Sequence, residues 1–147
     1  MKKNFFRAAA LSAILAMSVN GAQAQTRNYE CPPLNPEYQA QADQVISLQM
    51  EDPEKAGKLY MGLEKKVQKS KEDLVALGTY LLEHNEIQGA SRCAKLVYEK
   101  APDYIPGLMF SAEVYMKMQQ WGLAGGRYDE VLAIDSTNIA AMKRNAF

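Results

Sequence analysis

Residues 71–104, KEDLVALGTYLLEHNEIQGASRCAKLVYEKAPDY, and residues 105–138, IPGLMFSAEVYMKMQQWGLAGGRYDEVLAIDSTN, decide how this chain reads. Set one above the other, they place Leu74 over Leu108, Gly78 over Ala112, Leu81 over Tyr115, Ile87 over Trp121, Ala90 over Ala124 and Val97 over Val131. The period is 34 residues, and self-similarity at a fixed period of that size is the signature of small units stacked on one another. Apolar residues recur at three- and four-residue spacing in segments of about 14 residues, and strand signals are lacking, so the spacing predicts helices. Short breaks at Asp52-Pro53, Lys69-Ser70, Asn85-Glu86, Ala101-Pro102 and Asp135-Ser136 separate them.

The pattern extends in both directions. Upstream, Tyr38, Ala42 and Val45 match the first helix of a unit and Ala56, Tyr60 and Leu63 the second, provided the turn around residues 51–53 holds two extra residues. Downstream, Met142 and Ala146 begin a further unit in register. The expected domain covers 36–147, as units 36–70, 71–104 and 105–138 and a partial unit 139–147. Stacked arrays normally close with a polar capping helix. Residues 139–147 instead present Ile139, Met142 and Phe147, so they are expected to continue into a longer array or to cap the stack unaided.

The residues that carry the period resemble the tetratricopeptide repeat family. Leu108, Ala112, Tyr115, Ala124 and Tyr128 fit its pattern of large and small positions, with Ser136 where the family usually has proline. Leu74, Gly78, Leu81, Ala90 and Pro102 fit it again, with Ala94 where an aromatic is usual. Small residues let the two helices of a hairpin approach, Gly78 facing Ala90, and large ones fill the groove to the next hairpin. The resemblance implies an all-α fold of helical hairpins stacked as a short right-handed superhelical solenoid.

Ahead of the repeats, Lys2, Lys3 and Arg7 precede an apolar stretch from Ala8 to Val19 and then Ala22-Gln23-Ala24. These are the parts of a secretory signal peptide, 1–24, cleaved before Gln25, and the stretch falls short of the roughly 20 residues of a membrane span. Residues 25–35, with Cys31-Pro32-Pro33, hold too much proline for a helix and read as an extended leader. Cleavage removes three of 17 basic residues and none of 17 acidic ones, so the mature chain is mildly acidic and carries no basic stripe for nucleic acid. Export allows disulfides. Cys31 and Cys93 are expected either to bridge, pinning the leader to the second hairpin, or to remain a buried thiol at Cys93 and an unbridged Cys31.

No catalytic constellation emerges. His84 stands alone at a helix end, the serines carry no nucleophile elbow, and cysteines 62 positions apart form no CxxC site. No cofactor or metal site is expected. Gly125-Gly126 lacks a phosphate-loop lysine and reads as a close helix contact or kink, and Trp121 reads as packing between hairpins in preference to ligand stacking.

The resemblance implies function through the concave face, lined by first helices. The matching positions are Glu72, Val75, Thr79, Leu82 and Glu83, then Pro106, Met109, Glu113, Met116 and Lys117. Val75, Leu82, Met109 and Met116 would make an adaptable apolar stripe with an acidic rim, suited to a polypeptide segment. A downstream part of the same chain or a subunit mate could fill it instead. The family's exported members imply a protein-binding scaffold in the periplasm or at the outer-membrane periphery of a Gram-negative bacterium. A structural spacer or docking module at the N-terminus of a larger exported protein is the alternative.

Overall fold

The computed structural model describes residues 29–145, and among these there are seven helices and no strand. They are α1 (Pro36–Leu48), α2 (Pro53–Val67), α3 (Lys71–Glu83), α4 (Ile87–Lys100), α5 (Ile105–Lys117), α6 (Trp121–Ile134) and α7 (Ile139–Asn145). The expected signal peptide and its cleavage site, residues 25–28, Ala146 and Phe147 lie outside the described residues.

Local chemistry sets the helix starts. Asn35 Oδ1 accepts the Glu37 N–H at 2.8 Å, Asp52 Oδ1 that of Lys55 at 3.1 Å and Ser70 Oγ that of Asp73 at 3.2 Å. Each satisfies a donor that the first turn leaves orphaned. Pro36 and Pro53 follow two of these caps at the first helical position, where a missing N–H costs nothing.

The 34-residue period is written into the backbone. Helices α3, α5 and α7 start at 71, 105 and 139, and α2, α4 and α6 at 53, 87 and 121. Ser70, Tyr104 and Asn138 donate their N–H to Val67, Ala101 and Asp135 at 3.1, 3.1 and 3.2 Å. Asn85 and Gln119 both hold φ at 60°. The next N–H in each case reaches back to close the helix end, Glu86 to Leu81 at 2.8 Å and Gln120 to Tyr115 at 2.9 Å, the Schellman arrangement. The α1–α2 turn, residues 49–52, is one residue longer than its counterparts 84–86 and 118–120, where the first-unit register called for two.

Every helix packs on the next, and α3 also packs beside α1 and α5. The arrangement is all-α and helical-repeat-like. One core cluster joins α1 to α4 and takes Phe110 and Val114 from α5; a second joins α5, α6 and α7 around Leu108, Tyr128 and Val131. The junction explains Gly78. A Cβ there would stand 2.3 Å from Phe110 Cζ and 2.9 Å from Cys93 Cβ, so the fully buried Phe110 ring occupies the space that a side chain would need. Gly89 has the same role in the hairpin, with Leu81 Cδ1 and the Tyr60 ring 2.9 and 3.0 Å from its missing Cβ. Gly126 has nothing within 4 Å of its own, so the close contact expected there is not made.

Two ionic clusters stitch the second helices together. Arg92 of α4 binds Glu64 of α2 bidentately, Nε to Oε2 at 2.8 Å and Nη2 to Oε1 at 2.7 Å. That guanidinium holds the nearly buried Glu64 carboxyl below its ordinary range, against the opposing push of burial. Arg127 of α6 lies 3.7 Å over the Tyr98 ring of α4, donates to Ser111 Oγ at 3.3 Å and pairs with Glu130 at 3.1 Å. Tyr98 in turn donates to Glu130 Oε1 at 2.6 Å.

Candidate functional site

The side-by-side first helices α3 and α5 bring the expected groove residues into one region, but not all to its surface. Val75 and Met109 are 0% and 1% exposed, each inside a core cluster, and Thr79 is 3% exposed. The apolar stripe is therefore shorter than expected: Val75 and Met109 are core residues, leaving Leu82 and Met116, both half-buried, as its accessible members. Glu72 stands apart as an exposed residue of the α3 first turn and accepts from Ser70 Oγ at 3.1 Å.

The leader packs against this region. Tyr29 packs against both core clusters, and its hydroxyl lies 2.7 Å from Thr79 Oγ1 in the middle of α3. Cys31 and Leu34 pack against the first cluster. Tyr104, just ahead of α5, packs against that same cluster, and its phenol is pushed up by burial first and then by Glu72, Cys31 and Glu30. The segment that reaches Thr79 comes from upstream of the repeats. Apolar spacing cannot reveal it, because a proline-rich extended segment has no helical period.

Where the leader's contacts end, the groove opens. Thr79, Leu82, Glu83, Glu113, Met116 and Lys117 line a cleft of about 440 Å³ at the C-terminal ends of α3 and α5, completed by Trp121 and Arg144. Six of the ten expected groove residues thus surround one space. Trp121 is the first residue of α6 and is 60% exposed, so it does not pack between hairpins; the turn after α5 sets its indole at the cleft edge. Arg144 occupies in α7 the repeat position that Phe110 occupies in α5, a correspondence legible in the sequence that breaks the acidic character expected of the rim. The cleft carries two carboxylates, two cations, two flexible apolar side chains and an indole, a set that can grip a polypeptide backbone and its side chains but holds no nucleophile–base pair.

The remaining candidates are structural. His84 caps α3, its Nδ1 2.8 Å from the Tyr80 carbonyl and its ring 4.2 Å from the Tyr80 ring. Tyr80, whose hydroxyl donates to Asp43, is pushed up to about 12 by burial and by that carboxylate. Both cysteines are thiols: Cys31 donates to the Pro32 carbonyl at 3.5 Å, and buried Cys93 contacts the Tyr60 hydroxyl at 3.5 Å. Burial pushes the Cys93 thiol up to about 12. Among the described residues no three His, Cys, Asp or Glu side chains gather as a metal site, and no helix is long and apolar enough to cross a membrane. No protein-family model matches the chain, and no curated protein matches it.

Proposed function

We propose that this protein is a non-catalytic, polypeptide-binding module of the cell envelope, built as stacked tetratricopeptide-type hairpins in a short right-handed solenoid. It grips a partner segment in the cleft at the C-terminal ends of α3 and α5. The single observation that carries this reading is the convergence of Leu82, Met116 and the exposed Trp121 with Glu83, Glu113, Lys117 and Arg144 around one cleft. An exposed indole beside flexible thioether and leucine side chains supplies the apolar anchor that peptide recognition needs, and the flanking charges select among segments. Export rests on the arrangement of Lys2, Lys3, Arg7, the apolar stretch and Ala22-Gln23-Ala24. The test is retention of envelope polypeptides on the immobilised chain lacking residues 1–24, beside a Leu82→Asp/Met116→Asp variant. The variant is expected to keep its helical circular dichroism and lose the retained partner; equal retention by both would place binding elsewhere.

A second reading, a structural spacer or docking module at the N-terminus of a larger exported protein, is favoured by a different observation. Leu123, Ile134, Ile139 and Met142 are exposed by 54, 49, 64 and 43% on α6 and α7, an apolar end face of the kind that a further hairpin covers in stacked arrays.

A further inference from the structure

The groove between α3 and α5 is continuous with the open cleft, since Thr79 both binds the Tyr29 hydroxyl and lines the cleft. From Thr79 to the C-terminal end of α3 at Glu83 is four residues, about 6 Å at helical rise. A ligand confined to the cleft can leave the leader in place, whereas one that follows the whole groove meets Tyr29 at once. Val75 and Met109, the inner half of the expected stripe, belong to the two clusters against which Tyr29 packs.

We propose that the leader around Tyr29 is a tethered ligand of the protein's own groove, a strap that a partner following the whole groove displaces. The partner class it marks is an extended segment carrying a tyrosine, whose ring would span the two core clusters and whose hydroxyl would take over the Thr79 contact. This rests on the peptide-binding reading of the cleft and extends it by naming the chemistry of the inner subsite. A tethered segment competes at an effective concentration in the millimolar range, so the strap raises the threshold for outside ligands without blocking the site. Thr79 suits this role because a hydroxyl can donate or accept, and in a buried position it penalises a ligand that leaves it unpaired.

The probe is a fluorescein-labelled peptide with the sequence of residues 25–35, QTRNYECPPLN, titrated in reductant against the chain lacking residues 1–24. Tyr29→Phe in the protein removes only the hydroxyl of the strap and is expected to tighten peptide binding about fivefold. Tyr29→Ala, which also empties the ring's seat, is expected to tighten it at least about tenfold. Should the alanine variant fail to fold, the phenylalanine variant decides alone. A peptide with alanine in place of its tyrosine is expected not to bind. Equal affinity for wild type and Tyr29→Phe, equal binding by the peptide lacking tyrosine, or no binding to any chain would overturn the strap. Retention of an envelope partner by the cleft can persist through any of those failures, so the two ideas fail separately.

Discussion

Gly78 and Gly126 are both helical glycines, and their surroundings give opposite expectations for the same substitution. At Gly78 a methyl group would meet the Phe110 ring at 2.3 Å in a filled core, so Gly78→Ala is expected to destabilise by about 2 kcal/mol, within the range for overpacking. At Gly126 the methyl meets nothing within 4 Å, and Gly126→Ala is expected to stabilise by about 0.5–1 kcal/mol through the unfolded chain's lost freedom. Urea melts of the two variants check both signs. The cysteines give a second residue-scale expectation. Cys31 is half-buried, while Cys93 is fully buried with its thiol held up at about 12. The native protein should therefore take one iodoacetamide label, at Cys31, and two in urea. No label in urea without reductant would mean that the two sulfurs bridge.

At the scale of elements, the turns and the pair joining α2 to α4 are the informative parts. Asn85 and Gln119 stand at equivalent left-handed positions, which asparagine tolerates better than glutamine. Gln119→Gly is expected to stabilise by about 1 kcal/mol and Asn85→Gly by less, measured by thermal melts. The Glu64–Arg92 pair sets a pH dependence. Glu64 titrates below its ordinary value of 4.5 when folded, so its contribution is fully present above that value and is lost as pH falls through the lowered folded one. Arg92→Met is expected to cost about 2 kcal/mol at neutral pH, between the exposed and buried cases, with the deficit fading as Glu64 becomes protonated in acid. Denaturant melts from neutral to acid pH would show it. The helices themselves were legible in the sequence because their apolar spacing and the breaks such as Asp52-Pro53 and Lys69-Ser70 agree. Neither ionic cluster was, since a charged residue's cross-helix partner depends on tertiary placement that periodicity does not encode.

For the whole molecule, the repeat period located the groove-forming helices and left open which groove positions the chain would cover itself. Thr79, Leu82, Glu83, Glu113, Met116 and Lys117 could be singled out because they stand at the first-helix positions that the family resemblance implies line a groove. Val75 and Met109 belong to that face too, yet lie buried in the clusters that Tyr29 packs against, from a segment with no helical pattern. Trp121 and Arg144 enter the cleft from α6 and α7, outside the first-helix rule that chose the others. The measurement that tests the central claim most directly is site-resolved photo-crosslinking in cell envelopes, with the reactive residue placed in turn at Met116, Met109 and exposed Lys65. Capture of one and the same polypeptide from Met116, with none from Lys65 and little from buried Met109, is the result expected of a partner held in the cleft. Capture that is equal at Met116 and Lys65, or absent at Met116, would contradict it.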